Sequence, residues 1–121
     1  MNKNFYLLNA FSPSMFSDKE SMAVFFQKLT VKEAKDYFNY AQERGYNIIS
    51  AIGHEGTARL LSQILNHDIP FDRKQISLSR FDCGLIITLA FRPEEGRVYS
   101  YEELMQLFAE NKIVLYFFTT C

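Results

Sequence analysis

A short apolar run, Ile48, Ile49, Ala51 and Ile52, passes through Gly53-His54-Glu55-Gly56-Thr57 into a segment with apolar residues at Leu60, Leu61, Ile64 and Leu65. The run reads as a buried strand, and the segment after it as one face of a helix. This junction ties the chain to a fold in which sheet and helix share a core. It also bears on function. The first turn of a helix carries unpaired backbone N–H groups and the positive end of the helix dipole, which together make a ready anion site. Glycines there allow a phosphate close to the backbone. A histidine at the same place can move a proton near neutral pH. Phosphate chemistry is the first expectation, with a purely structural helix cap at His54 as its rival.

The rest of the chain repeats the alternation of strand and helix. Phe5 to Ala10 and Met22 to Leu29 read as strands, the first stopped by Ser12-Pro13-Ser14. Thr30-Val31-Lys32-Glu33 has capping-box spacing, and Ala34, Tyr37, Phe38 and Ala41 recur at helical intervals until Gly45. The Ile48 to Ile52 strand and the helix from about His54 to Asn66 come next. Ile76 to Arg80 alternates apolar and polar residues, and Leu85 to Phe91 is a continuous strand-like run. With a tight turn at Asp82-Cys83-Gly84 the two suggest a hairpin. Ser100-Tyr101-Glu102-Glu103 is a second capping box, opening a helix with Leu104, Leu107 and Phe108 on one face, and Lys112 to Thr119 is a final strand. The expected fold class is α/β (α+β), one domain over residues 1–121 with a mixed β-sheet flanked by helices.

Composition narrows the function. A chain of 121 residues supports a single core. Twelve Phe and seven Tyr are more apolar material than a minimal monomer needs, which favours a homodimer with an apolar seam. The net charge of −1 offers no global attraction to long nucleic acid, so anion binding must come from individually placed Arg and Lys. Cys83 and Cys121 have neither zinc nor redox spacing, and His54 and His67 are the only histidines, so neither a metal nor another cofactor is expected. Without a signal peptide or an apolar run near eighteen residues, the chain reads as soluble, cytoplasmic and unattached to membrane.

Three further places could carry chemistry. Arg92-Pro93-Glu94-Glu95-Gly96-Arg97 sets two carboxylates between two guanidiniums after a strand, where they could hold phosphates and steer a proton, or form a solvated turn. Arg73 follows Pro70-Phe71-Asp72 and leads into the Ile76 run. Asn9 and Ser12 close the first strand, where they could bond a sugar or base edge or organise the turn. The two thiols have no neighbouring histidine or basic cluster to activate them. No P-loop, dinucleotide fingerprint or nucleophile elbow is present.

Tyr6-Leu7-Leu8-Asn9-Ala10-Phe11-Ser12, Ile52-Gly53-His54 with Thr57, Arg73 before a strand, and Arg92 with Glu95-Gly96 occur in that order along nearly the whole chain. In this it resembles the viral type III anti-CRISPR ring nucleases and their bacterial relatives. The resemblance implies a homodimer that binds cyclic tetra-adenylate, a ring-shaped RNA messenger, across its two-fold axis and cleaves it without metal. It implies that His54 is the general acid and Glu95 the second active-site residue. Arg73 and Arg92 would bind phosphate, and Asn9 and Ser12 match positions that contact the ligand; Gly53, at the helix start, and Thr88 are expected to meet it as well. Thr88 stands four residues before Arg92, in the last β-hairpin, where viral relatives have a glutamine. Pro93 and the segment between Asn39 and Tyr46 are also individual to this chain.

The chemistry suits those residues. Attack by a 2′-hydroxyl on the adjacent phosphorus needs in-line geometry, which a rigidly held ring supplies. Arginines and helix-start amides stabilise the developing charge, and His54 protonates the departing 5′ oxygen. The products are linear di-adenylates with cyclic phosphate ends. A two-fold dimer presents one copy of the site to each of two opposite phosphates. The alternative is a non-catalytic binder or sensor that sequesters the ring, for which arginines and amides alone suffice. A viral or mobile-element protein would use the reaction to antagonise defence in the host cytoplasm, and a cellular one to reset it.

Overall fold

The apolar runs become the strands of one five-stranded sheet in a computed structural model that describes residues 3–16 and 21–121. In chain order these are β1 (Asn4–Leu8), β2 (Val24–Leu29), β3 (Asn47–Ala51), β4 (Cys83–Leu89) and β5 (Ile113–Thr120), arranged β2-β5-β4-β1-β3. β1 is parallel to both of its neighbours, β3 and β4. β5 is antiparallel to β2 and β4, so the sheet is mixed, as expected.

The pleat sends alternate residues to opposite faces. Phe5, Leu7, Leu85, Ile87 and Leu115 face one core with all three helices, α1 (Val31–Glu43), α2 (Glu55–Leu65) and α3 (Tyr101–Ala109). Helix spacing brings Ala34, Phe38 and Ala41 of α1 to that core, and Ala58, Leu61 and Leu65 of α2. Both capping boxes form as the sequence predicts, with Thr30 and Glu33 closing the start of α1 and Ser100 and Glu103 that of α3. The opposite face carries Tyr6, Leu8, Ile86 and Phe118, and it is covered by irregular chain. Phe11, Met15 and Phe16 come from the segment after β1, and Ile76 and Leu78 from the segment before β4. The helices therefore flank the sheet on one side only.

One expectation fails here. Ile76 to Arg80 is not a sheet strand, and Asp82-Cys83-Gly84 is not a hairpin turn. The turn lies at Arg80 and Phe81, where Phe81 adopts φ +71°, and the Asp82 side chain closes it by accepting the Ser79 N–H at 2.8 Å. Cys83 and Gly84 already belong to β4. The reason is edge occupancy: β1 and β5 take both edges of β4, so no ladder remains for a preceding strand. The apolar alternation of 76–80 is used to cover the sheet instead, with Leu78 fully buried and bridging Phe16 in parallel. The first strand also stops at Leu8 rather than Ala10.

The β1–β4 seam depends on a residue without a side chain. A Cβ on Gly84 would fall 2.0 Å from the backbone oxygen of Tyr6. Gly84→Ala is expected to destabilise the fold by at least the ~1–3 kcal/mol typical of overpacking, measured as a lower urea midpoint or loss of soluble protein. A variant as stable as the parent would mean that the two strands can separate slightly at no cost.

Candidate functional site

Because β3, β1 and β4 are parallel, their carboxyl ends lie at one edge of the sheet. Crevices beyond such ends are where open sheets of this kind bind ligands. Leu8 and Ala51 are direct neighbours across β1 and β3, so the residues after them emerge together. The Asn9 side-chain oxygen accepts a hydrogen bond from the Gly53 N–H at 3.1 Å and ties the two exits to each other.

His54 comes next, as the N-cap of α2. Its backbone is extended (φ −134°, ψ 131°), its carbonyl accepts the Ala58 N–H, and its side chain makes no capping hydrogen bond. The backbone alone starts the helix, and the exposed imidazole is left for other work. That is the opposite of a structural cap, in which the side chain holds the first N–H groups.

Asn9 and His54 stand between two cavities and line both. The first, about 220 Å³, has Thr57, Thr88, Pro93, Arg97 and Tyr99 around an apolar floor that includes Leu60, Ile87 and Leu104. The second, about 250 Å³, holds Gly53, Arg73 and Lys74 above Met15 and Ile76. Arg73 is positioned through the segment before it. Pro70 accepts the Ser50 hydroxyl at 2.7 Å, and the Asp72 N–H donates to Ile52 at 3.1 Å. The Arg73 stem then passes Gly53, where a Cβ would meet its Cγ at 3.6 Å. Lys74 is paired with Asp72 at 2.9 Å, whereas Arg73 makes no ion pair among the described residues.

Arg97 is held differently. Its guanidinium donates to Glu103 at 2.5 Å and lies 4.7 Å from the centre of the Tyr99 ring. The other Glu103 oxygen accepts the Ser100 N–H of the capping box. That hydrogen bond first, and the Arg97 guanidinium second, keep the Glu103 carboxyl below its ordinary range. The strap bearing Tyr99 is pressed onto α2 at Gly56, where a Cβ would stand 3.1 Å from the Tyr99 carbonyl oxygen and 3.0 Å from the Tyr101 nitrogen.

The residues singled out from the sequence thus divide. Asn9, Gly53, His54, Arg73 and Thr88 converge on the two cavities, with Thr88 in β4 rather than in a hairpin. Arg92 and Glu95 are exposed on the loop after β4 and line neither cavity. Ser12 also lies outside both; its hydroxyl accepts the Ser14 N–H at 3.3 Å and caps the short 3₁₀ turn Pro13–Met15. Lys74 and Tyr99 were not foreseen, and Arg97 was visible only as one member of a charge cluster. The signal for Arg97 was available: Glu103, three residues past Ser100, has a second oxygen to offer. Among the described residues, no three His, Cys, Asp or Glu side chains form a group that could hold a metal ion, and no helix is long and apolar enough to cross a membrane.

The sequence matches the STIV B116-like family over residues 5–115. It is 33% identical over 112 residues to ORF116 of Acidianus filamentous virus 1, covering 93% of this chain and 91% of that protein. It is 40% identical over 103 residues to protein 26 of Sulfolobus islandicus filamentous virus, covering 84% and 82%. Its fold is similar to that of B116 of Sulfolobus turreted icosahedral virus, with a TM-score of 0.73 at 28% identity over 96% and 98% of the two chains.

Asn9→Ala is expected to leave the Gly53 N–H without its partner and to cost about 1–3 kcal/mol of stability, read as a shifted urea midpoint. An unchanged midpoint would show that the Asn9 side chain does not hold the two strand exits together.

Proposed function

The chain belongs to the STIV B116-like family, and on that footing we propose that it is a metal-independent ring nuclease acting on cyclic tetra-adenylate as a homodimer. The observation that carries the reading is His54. Its imidazole is exposed at the start of α2, makes no capping bond, and stands between a cavity edged by Arg73 and one edged by Arg97. A phosphodiester bound over the helix start meets amide N–H groups, and Arg73 lies on the adjoining wall.

The 2′-hydroxyl attacks the neighbouring phosphorus and gives up its proton to solvent. The bond from phosphorus to the 5′ oxygen breaks, and a 2′,3′-cyclic phosphate closes. The departing oxygen takes the proton of the His54 imidazolium, which regains one from solvent. Arg73 and the α2 amides stabilise charge on the phosphate oxygens as it develops. Glu95 and Arg92, carried on the exposed loop that borders the first cavity, orient the ring from that side. Two copies of the site, related by a two-fold axis, suit a ring with two-fold symmetry. Beside the site, the solvent-exposed Phe91 and Val98 at the first cavity give a second copy apolar surface to cover. The viral origin of the matched relatives supports the antagonist role over self-limitation.

The test is incubation of the pure protein with labelled cyclic tetra-adenylate, with and without EDTA. Linear di-adenylates with cyclic phosphate ends are expected in both. His54→Ala is expected to keep the ring bound and to slow cleavage by about 10²–10⁴-fold, the usual loss of a general acid or base. Cleavage by His54→Ala at the parental rate would remove His54 from the chemistry, and an intact ring after prolonged incubation with the parent protein would favour the sequestering binder.

Light scattering at micromolar concentration is expected to give twice the chain mass. A monomer that still cleaves the ring would refute the two-fold site.

A further inference from the structure

We infer that Arg97 is a stacking platform for a nucleobase rather than a phosphate ligand, and that Glu103 is the positioning residue that makes it so. The inference rests on the ring-nuclease reading and divides the ligand between the two cavities. Two arginines lie on either side of His54, and their surroundings differ in kind.

Arg73 carries an uncompensated charge. It makes no ion pair among the described residues, and it lies beside Gly53 at the start of α2. An unpaired cation beside helix-start amides is what a phosphate requires. Arg97 has its charge matched by the Glu103 carboxylate, and its guanidinium carbon lies over the Tyr99 ring, 4.7 Å from the centre. A neutralised guanidinium has little to offer a phosphate, because the bound carboxylate repels the anion. Its flat, weakly hydrated face remains, and arginine planes and aromatic rings are the surfaces on which unstacked bases are held. The cavity agrees with this assignment. Its floor is apolar, and Asn9, Thr57 and Thr88 supply a few polar groups of the kind that read a base edge. Glu103 has two duties. One oxygen caps α3 through Ser100, and the other locks Arg97 in place.

Lysine, charge-conserving but without a plane, separates the two roles. Binding of the deoxyribose form of the ring, which lacks the 2′-hydroxyl and is not cut, is measured over a salt series for the parent, Arg73→Ala, Arg97→Ala, Arg97→Lys and Glu103→Gln. Arg97→Lys and Arg97→Ala are both expected to weaken binding about tenfold, within the range for losing a stacked base, and to leave the salt slope unchanged. Arg73→Ala is expected to flatten the slope by about 0.7 for each phosphate it no longer neutralises. Glu103→Gln keeps an acceptor for the capping box and is expected to steepen the slope, because it frees the Arg97 charge. Parental affinity in Arg97→Lys, with a flattened slope in Arg97→Ala, would make Arg97 a phosphate ligand and overturn the inference alone. A parental slope in Glu103→Gln would overturn the part assigned to Glu103. A parent protein with no affinity for either the ribose or the deoxyribose ring would overturn this inference and the ring-nuclease reading together.

Discussion

The parallel pairing of β1 with both neighbours governs the rest of the molecule. Five residues of β1 register against β3 and four against β4, and side chains from both faces of β1 enter the two cores. The pairing with β4 depends on the bare backbone of Gly84 beside Tyr6. Parallel neighbours present their carboxyl ends together, so Asn9, Gly53-His54 and Thr88 meet although they are far apart in sequence. The Asn9 bond to Gly53 then fixes how the start of α2 faces outward. Had β1 been antiparallel to β3, His54 and Asn9 would emerge at opposite ends of the sheet.

The helix side and the open side do different work. Three helices over one face form the larger core, and α2 delivers His54 at its start. Over the other face, loop segments contribute Phe11, Met15 and Leu78, and the second of them continues back to Arg73 and Lys74. The cavity with Arg73 is thus walled by chain that also seals the sheet, whereas the cavity with Arg97 is walled by the strap leading into α3. Each side of His54 draws its cation from a different structural layer. This is how one histidine comes to stand between an arginine with no ion pair among the described residues and one paired with Glu103.

A functional reading from single residues would have weighed Arg73, Arg92 and Arg97 alike, since each is an arginine in a loop. Their surroundings separate them. Gly53 lies against the stem of Arg73, Glu103 and Tyr99 fix Arg97, and Arg92 remains on the exposed loop. Electrostatic compensation, more than charge count, is what tells the three apart.

Much was legible in the sequence because it is local. The capping boxes at Thr30 and Ser100, the helical spacing of Ala34, Phe38 and Ala41, and the strand-to-helix handover at Gly53-His54 are set by interactions within a few residues, and all of them form. What the sequence could not decide by itself was anything that depends on which edge of a strand is occupied. The alternation of Ile76 to Arg80 looks the same whether it pairs in a sheet or lies across one. Only the presence of β1 and β5 on both sides of β4 assigns it to covering the face. The same holds for the site. The sequence by itself pointed to His54 and Asn9, because glycine-flanked helix starts and strand ends are local signals, whereas Arg73 and Thr88 were marked by the family resemblance. Tertiary structure brought Arg97 and Tyr99 to the same cavity and left Ser12, Arg92 and Glu95 outside both, because backbone pairing and side-chain neutralisation are settled between segments distant in the chain.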